Sequence, residues 1–258
     1  DASVLLRGES GTVKEIVAQD SHQHSPYRKK QMVAINCTSL PESLLEAELF
    51  GYEKGAFTGA ASGGKIGLIE AAANNTLLLD EVNSMPLSLQ AKLLRVLETK
   101  AVIPVGSVKP RAVNFRLICA SNVALAQCVK EGTFRMNLYY RLNVIPITIP
   151  PLRERREDIT PLADYFLDHF CQKYGLQKEF SSRVYQILNH YKWPGNIREL
   201  RNLVEHMVVM SESSVVKINQ IPTGMLQLEP PSPESGPECL NEEYLRIQMA
   251  LRLHGGHR

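Results

Sequence analysis

Short apolar runs along the chain predict the strands of one parallel sheet. They lie near residues 3–6, 32–36, 76–79, 115–120 and 144–149. Continuous apolar runs of this length are typical of strands buried on both faces. Stretches with apolar residues at helical spacing lie between them, most clearly at 41–50 and 88–99. This alternation predicts an α/β fold with helices flanking a parallel sheet.

Helical spacing dominates after residue 152. It predicts helices over 159–174, 181–190 and 197–210. A proline-rich stretch at 229–238 predicts a linker, and a further helix is expected from 241 to about 253. We therefore expect four parts: an α/β subdomain at 1–152, a smaller helical subdomain at 153–226, a linker at 227–238 and the start of another domain at 239–258.

Two polar stretches predict surface structure. The basic, irregular segment 22–31 predicts a loop in which His22 and His24 are solvated rather than bound to metal. The segment 102–111 predicts a short hairpin or loop. Neither stretch suggests a catalytic role by itself.

Composition narrows the class of protein only slightly. Apolar residues make up 44% and charged residues 22% of 258, which is ordinary for a globular protein. The net charge of +2 favours neither nucleic acid nor membrane, and no apolar run approaches the length of a membrane span. Five scattered cysteines without a C-x-x-C pair indicate reduced thiols. These features lead us to expect a cytoplasmic protein without a membrane partner.

A glycine-rich turn follows the first predicted strand and leads into a helix that we expect to reach about Gln19. The turn comprises Gly8, Glu9, Ser10, Gly11, Thr12, Val13, Lys14 and Glu15. Strand, glycine-rich turn, lysine and helix form the context of a phosphate-binding loop, because backbone N–H groups and the lysine then face the phosphates. The pattern G-x-x-x-x-G-K-[ST] has glycine where Val13 stands and Ser or Thr where Glu15 stands. A β-branched residue there would crowd the phosphates or strain the backbone by about 1–3 kcal/mol. An ordinary strand-to-helix turn therefore stays open as an alternative.

Two acids follow the most apolar run of the chain. Asp80 and Glu81 stand at the carboxyl end of the predicted strand, where α/β sheets bind their ligands. In phosphoryl transfer, Asp80 would hold Mg²⁺ through water and Glu81 would polarise the attacking water. The alternative is that both acids only cap the next helix.

A loop of small residues surrounds one aromatic and one hydroxyl. It comprises Gly55, Ala56, Phe57, Thr58, Gly59 and Ala60. Glycines at both ends allow sharp turns, and an aromatic at such a tip can anchor in a partner's pocket. The alternative is a turn whose Phe57 packs onto its own domain. Predicted helices at 41–50 and 67–73 would place the loop at the tip of a helical hairpin.

The hexapeptide GAFTGA resembles the signature of the AAA+ activators of sigma-54 RNA polymerase, the bacterial enhancer-binding proteins. In that family the loop contacts sigma-54 and transmits to it the work of ATP hydrolysis. The resemblance covers nearly the whole chain. It implies an AAA+ ATPase with a helical lid, ATP and Mg²⁺ as cofactors, sigma-54 as partner, and self-assembly into a ring that is hexameric in the family. Glu15 agrees with the family, whereas Val13 departs from it.

The resemblance also assigns residues to the nucleotide site. Asn36 would pair with the catalytic glutamate, Glu81, and sense the γ-phosphate. Asn122, at the end of its strand, matches the first sensor of the family. The segment 193–200 resembles the second sensor, from which Arg198 would reach the nucleotide.

Two arginines match the family's arginine fingers. Arg135 and Arg141 lie near opposite ends of a short predicted helix. An arginine placed across a subunit boundary stabilises charge in phosphoryl transfer. Without the resemblance, both would be interpreted as surface charges.

The last predicted helix resembles the first helix of the Fis-like helix-turn-helix that ends these activators. The sequence stops before a recognition helix, so we expect enhancer DNA to bind through a part absent from this sequence. We likewise expect a regulatory domain before residue 1, as in a two-component system.

Two alternatives to a working activator remain. In the first, Val13 impairs nucleotide binding and the chain is a regulatory module of the same fold. In the second, the chain is a different AAA+ motor, such as a DNA loader or an unfoldase, which would have no reason to contain GAFTGA.

Overall fold

The structure, a computed structural model, describes residues 2–56 and 63–220. Phe57, Thr58, Gly59 and Ala60 lie outside the described residues, as do the predicted linker at 229–238 and the predicted helix after it.

The strands and helices alternate along the first 150 residues and helices dominate thereafter. The strands are β1 (Val4–Arg7), β2 (Val33–Asn36), β3 (Gly51–Tyr52), β4 (Lys65–Ile66), β5 (Thr76–Asp80), β6 (Ala101–Val102), β7 (Arg111–Ala112), β8 (Arg116–Ser121), β9 (Ile145–Thr148), β10 (Glu179–Phe180) and β11 (Val215–Val216). The α-helices are α1 (Lys14–Gln23), α2 (Glu42–Phe50), α3 (Leu68–Ala71), α4 (Leu87–Thr99), α5 (Leu125–Lys130), α6 (Met136–Leu142), α7 (Ile159–Tyr174), α8 (Ser182–His190) and α9 (Asn196–Met210).

The predicted parallel sheet is confirmed. Its five strands stand in the order β2-β5-β8-β1-β9, and every neighbouring pair is parallel. Alternate residues of the central strands face opposite layers, as the two-residue period of a strand requires. Leu77 and Leu79 pack with α4 and α6 residues on one face, whereas Leu78 packs with Ala18 of α1 on the other.

Strand β2 is less buried than we predicted. It lies at an edge of the sheet, so its Ala34 is exposed and Val33 and Ile35 are only partly buried. An apolar run indicates a strand but does not determine its position in the sheet. Strand order is a property of the whole chain.

His22 contradicts the prediction of a solvated surface loop. Helix α1 continues to Gln23, and the His22 side chain is buried. Its Nδ1 lies 2.9 Å from Thr76 Oγ1, and its Nε2 lies 2.8 Å from the backbone carbonyl of Lys30. Both ring nitrogens therefore have partners, so the polar ring is buried without losing its hydrogen bonds. His24 is exposed.

The helices after residue 152 pack around α7 and α9. Each of α7, α8 and α9 buries one apolar face, and Trp193 is fully buried. The indole N–H of Trp193 donates to the backbone carbonyl of Leu188 at 2.8 Å. The predicted ends of these three helices agree with the structure to within one residue.

Candidate nucleotide site and loop base

The carboxyl ends of three neighbouring strands bring the predicted site residues to one edge of the sheet. Strand β1 leads into the glycine-rich turn, β5 ends at Asp80, and β8 ends one residue before Asn122. The N–H of Gly8 donates to the carbonyl of Ser121 at 3.2 Å, which ties the start of the turn to the end of β8. Ligands of open α/β sheets bind at such an edge.

Lys14 is the first residue of α1 and is buried. Its Nζ donates to the backbone carbonyls of Gly8 and Glu9 at 2.8 and 3.0 Å. Burial lowers the pKa of Lys14 below its usual value, and the charges of Asp80 and Glu81 oppose that shift. The ammonium group therefore lies within the electrostatic reach of both acids.

Val13 precedes Lys14 in a left-handed backbone conformation, with φ 64° and ψ 37°. Glycine adopts this conformation without cost, but for a β-branched residue it is an outlier. The turn therefore keeps a glycine-like shape although a valine stands there. Of the two effects that we predicted for Val13, backbone strain is present.

The two acids belong to a small hydrogen-bonded network. Asp80 Oδ1 accepts from the N–H of Glu81 at 2.9 Å, and Asp80 Oδ2 lies 3.4 Å from Asn36 Nδ2. Glu81 itself has left-handed backbone angles, φ 50° and ψ 44°. Strained backbone is frequent in active sites, where surrounding contacts hold it in place.

Thr38 joins Asn36 to Glu81, a link that sequence reasoning missed. Its Oγ1 lies 2.5 Å from Asn36 Oδ1 and 2.7 Å from Glu81 Oε2. A hydroxyl has one proton, so it donates to one of these oxygens at a time. The predicted pairing of Asn36 with Glu81 is thus indirect in this structure, while the direct side-chain contact of Asn36 is with Asp80.

Side chains from the segment after residue 152 bond to the glycine-rich turn. Arg198 Nη1 donates to Ser10 Oγ at 3.0 Å. Arg153 donates to both carboxylate oxygens of Glu9, at 2.8 and 2.6 Å. Asn196 Nδ2 donates to Glu9 Oε2 at 3.2 Å and to the carbonyl of Ser10 at 3.0 Å.

Arg153 and Asn196 were not among the residues predicted for the site. Arg153 is one of several charged residues in the segment 152–158, and nothing in its spacing points to Glu9. Asn196 precedes Arg198 by two residues, and this proximity was the only sequence feature that could have indicated a place in the site. Their contacts lower the pKa of Glu9 to about 2, chiefly through hydrogen bonds from Arg153 and then from Asn196.

The residues at this edge fit a nucleoside triphosphate with Mg²⁺. A Cβ on Gly8 would lie 2.8 Å from Thr12 Oγ1 and 3.0 Å from the carbonyl of Ile149, so only glycine fits at the start of the turn. Asn122 Oδ1 is buried and has no hydrogen-bond partner among the described residues. Such an atom calls for a partner, as expected of a residue that contacts a ligand. Lys14, the turn and the carboxylate of Asp80 are the donor types that phosphates and Mg²⁺ require.

The segment leading to the GAFTGA hexapeptide has a defined base. Strands β3 and β4 form an antiparallel ribbon between α2 and α3, so the predicted helical hairpin is corrected to a β ribbon between helices. Val105 lies beside this ribbon: its N–H donates to Gly51 at 2.9 Å and its carbonyl accepts from Glu53 at 3.0 Å. The segment predicted as a hairpin at 102–111 thus bonds to the loop base through a single β-bridge between Tyr52 and Val105.

Arg111 bridges two carboxylates at the same base. Its Nη2 donates to Glu53 Oε1 at 2.6 Å, and its Nη1 donates to Glu70 Oε2 at 2.8 Å. These contacts raise the pKa of Arg111, with the hydrogen bond to Glu70 the largest cause. Arg111 therefore links the segment that precedes the loop to α3, because it bonds to Glu53 in that segment and to Glu70 in α3.

Comparison with known families decides the identity of this arrangement. Residues 1–148 match the Sigma-54 interaction domain, and residues 153–237 match the AAA+ ATPase lid domain. The chain belongs to the sigma-54 activator family. Its parallel sheet and lid are accordingly those of an AAA+ ATPase.

Relatives within the sigma-54 activator family are similar over nearly the whole chain. The nitrogen fixation protein VnfA of Azotobacter vinelandii is 46% identical over 99% of this chain and 50% of its own length. The regulatory protein AtoC of Escherichia coli K12 is 45% identical over 97% of this chain and 55% of its own. This chain thus spans about half the length of these curated relatives.

A solved structure of the family shows the same fold with nucleotide. NtrX from Brucella abortus in complex with ADP has a TM-score of 0.80 and 31% identity, over 98% of this chain and 55% of that one. NtrX in complex with ATP has a TM-score of 0.79. A protein with this fold and 31% identity to this chain has therefore been solved with both ADP and ATP.

The two arginines that resemble the family's fingers are bonded to the backbone of α4. Arg135 immediately precedes α6, and its Nε donates to the carbonyl of Leu87 at 3.0 Å. Arg141 lies in the last turn of α6, and its Nη2 donates to the carbonyl of Leu97 at 3.0 Å. Both are thus held against α4, and neither contacts the nucleotide-site residues within the described parts of this single chain.

Within the described residues, no helix is long and apolar enough to cross a membrane. No group of metal-ligating side chains large enough to hold a metal by itself occurs there either. The cysteines of the described ranges, Cys37, Cys119, Cys128 and Cys171, are buried thiols.

Proposed function

We propose that this chain is the ATP-hydrolysing core of a transcription activator that acts on sigma-54 RNA polymerase in the cytoplasm. The observation that supports it best is that Lys14, which begins the helix after β1, and Asp80, which ends β5, lie on the carboxyl side of one parallel sheet, and that Arg198 of the lid bonds to Ser10 of the turn. Each of these groups suits one part of phosphoryl transfer. Family membership supplies the partner, because residues 1–148 match the Sigma-54 interaction domain.

In this proposal the backbone of the turn from Gly8 to Glu15 and the Lys14 ammonium bind the phosphates, and Asp80 holds Mg²⁺. Bound Mg²⁺ would neutralise charge that develops on the phosphates. Glu81 orients the attacking water, and Thr38 sets the position of the Glu81 carboxylate. Asn122 and Arg198 contact the γ-phosphate side of the nucleotide, from the sheet and the lid respectively.

A ring of such chains would complete each site from its neighbour. Arg135 and Arg141 are exposed, and within the described residues their side-chain bonds go to backbone carbonyls of α4 rather than to residues of the site. Arginines in that position suit delivery to the site of an adjacent subunit, with a hexamer as the expected assembly.

The sigma-54 contact would be the hexapeptide at 55–60, which contains Phe57 and Thr58. The base of this loop is joined to α3 by Arg111 and to the 102–111 hairpin by Val105. Movement of the loop with nucleotide state would then remodel the closed promoter complex. Enhancer DNA would be a further partner of the activator in this proposal.

A second candidate is favoured by one observation, the left-handed Val13. If its side chain excludes the phosphates, the chain is a regulatory module that keeps the fold and the sigma-54 loop but does not turn over ATP. The same residues would then serve only assembly and contact.

Steady phosphate release from MgATP separates the two candidates. We expect the parent chain to turn over ATP at concentrations that permit assembly, and Glu81→Ala to abolish turnover while it retains ADP binding. Val13→Gly provides the matched comparison. Turnover in Val13→Gly alone, with none in the parent, would establish the regulatory module instead.

A further inference from the structure

Val13 disfavours the backbone conformation that the phosphate-binding turn adopts. Val13 sits at φ 64°, where L residues with a branched Cβ are strained. Its carbonyl nevertheless accepts from the N–H groups of Ile16 and Val17 at 3.0 and 3.3 Å, so the first turn of α1 is intact. A strained conformation persists only where surrounding contacts determine it.

Contacts within the turn are few. Thr12 Oγ1 and N–H both point to the carbonyl of Glu9, at 2.8 and 3.4 Å, and Lys14 Nζ reaches the carbonyls of Gly8 and Glu9. These bonds close the turn onto itself. They fix neither Ser10 nor Gly11, which stand before Val13.

The lid supplies the missing contacts. We define the lid clasp as Glu9, Arg153 and Asn196. Arg153 binds both oxygens of Glu9, and Asn196 Nδ2 bonds to Glu9 Oε2 and to the carbonyl of Ser10. Asn196 is fully buried, and its Oδ1 accepts from the N–H of Leu152 at 2.8 Å. Every polar atom of the Asn196 amide is therefore bonded, which locks its orientation.

The clasp continues into direct backbone contact. The N–H groups of Ile197 and Arg198 donate to the carbonyl of Gly11 at 3.0 and 3.4 Å. A Cβ on Gly11 would lie 2.2 Å from the carbonyl of Gly195, so the two backbones touch and no larger residue fits. Residues 9 to 11 are thereby gripped from the lid side immediately before the strained position.

We propose that the lid clasp holds the phosphate-binding turn in the left-handed conformation that Val13 disfavours. It is a positioning device, and it rests on the proposed function only in its consequence for nucleotide binding. With glycine at position 13 the turn would keep its shape without help, because glycine adopts positive φ freely. With valine, loosening the lid should release the turn. Nucleotide affinity would then depend on lid docking.

Hydrogen exchange of the ligand-free protein tests this directly. The amides of Ile16 and Val17 report on the Val13 carbonyl that they bind. We expect Glu9→Gln, which removes the charge that Arg153 grips, to speed their exchange by about tenfold in the parent, a coupling typical of groups that share one network. In the Val13→Gly background the same change should speed exchange by no more than about twofold.

Two controls separate the clasp from general damage. Glu154→Gln removes a neighbouring carboxylate that lies 3.9 Å from Arg153 and does not contact Glu9, so it should leave these amides unchanged. The buried amides of α9 should keep their protection in every variant, which excludes unfolding of the lid. Arg153→Ala should reproduce the effect of Glu9→Gln.

Equal acceleration in the parent and in the Val13→Gly background would overturn the proposal, as would no acceleration in either. ADP binding, measured on the same proteins, then separates a failure of the lid-clasp proposal from a failure of the proposed nucleotide site. Loss of affinity on Glu9→Gln should be larger in the parent than in the Val13→Gly background. Failure of both the parent and Val13→Gly to bind ADP would refute the proposed nucleotide site and leave the exchange result standing.

Discussion

At the scale of single residues, the site depends on pairs that no local pattern reveals. Thr38 is two positions after Asn36 and 43 positions before Glu81, yet its hydroxyl contacts both side chains. The strained backbone of Glu81 supports the same conclusion, because a strained residue keeps its conformation only where surrounding contacts hold it. Thr38 is therefore the residue most suited to position Glu81.

Replacing the hydroxyl of Thr38 tests this role. Thr38→Val keeps the shape of the side chain and removes the hydrogen bonds of its hydroxyl. A lost hydrogen bond to a charged group is worth about 1.5–3 kcal/mol, so we expect kcat for ATP to fall by about tenfold or more while ADP affinity stays unchanged. Thr38→Ser retains the hydroxyl and should restore most of the rate. Equal rates for the parent and Thr38→Val would remove Thr38 from the mechanism.

At the scale of elements, the GAFTGA loop is attached at more points than its flanking sequence suggests. The β3–β4 ribbon forms its stem, Val105 is bridged to that ribbon, and Arg111 fastens Glu53 to Glu70. These contacts join three segments that are separated in sequence by up to 58 positions. A displacement of the loop base would therefore be transmitted both to α3, through Arg111, and to the segment 102–111, through Val105.

Arg111→Ala should weaken binding of sigma-54 without changing the rate of ATP hydrolysis. Each exposed ion pair is worth up to about 1 kcal/mol, so we expect sigma-54 binding to fall by about threefold to tenfold. Binding is measured with ADP and aluminium fluoride, and phosphate release is measured in parallel. Lys109→Ala, a matched loss of charge on the same hairpin, should change neither quantity. Lost turnover in Arg111→Ala would place the residue in the nucleotide site rather than at the loop base.

At the scale of the whole molecule, the lid and the phosphate-binding turn are joined by a charge pair that responds to acid. Arg153 and Asn196 lower the pKa of Glu9 to about 2 from an ordinary value near 4.5. A carboxylate with a depressed pKa stabilises the folded state above its unfolded pKa. That contribution is lost as the pH falls from about 4.5 towards 2.

The melting temperatures of the parent and Glu9→Gln should therefore converge in acid. We expect the parent to be the more stable protein at pH 7 and the difference to shrink by more than about half at pH 3, from linkage between the two pKa values. Differential scanning calorimetry from pH 7 to 3 measures it. The Glu154→Gln control should show no such convergence. A constant difference across this range would contradict the role of the Glu9 charge.

Subunit cooperation is the other property of the whole molecule that can be tested. If Arg135 serves the site of a neighbour, Arg135→Ala subunits mixed with parent subunits should lower turnover below the sum of the separate activities. The measurement is phosphate release at constant total protein and varying ratio. Met136→Ala, an adjacent exposed substitution, is the control and should give a linear mixture. Strict proportionality for Arg135→Ala would argue against a finger supplied in trans.

The sequence alone determined the parallel sheet, the lid helices, the positions of Asp80 and Asn122 at strand ends, and that of Lys14 after the glycine-rich turn. Each of these follows from local patterns, because apolar period and strand-end position act over a few residues. It also marked Val13 as a source of backbone strain, since that depends only on the residue type and its place in the turn.

Only the tertiary structure decided which distant groups meet. The burial of His22, the edge position of β2, the Thr38 link and the Glu9 clasp all require residues far apart in the chain to approach within hydrogen-bond distance. Side chains such as Arg153 have many possible partners, and folding selects one by the geometry of whole elements rather than by local spacing. The strain at Val13 was therefore visible in the sequence, but the contacts that oppose it were not.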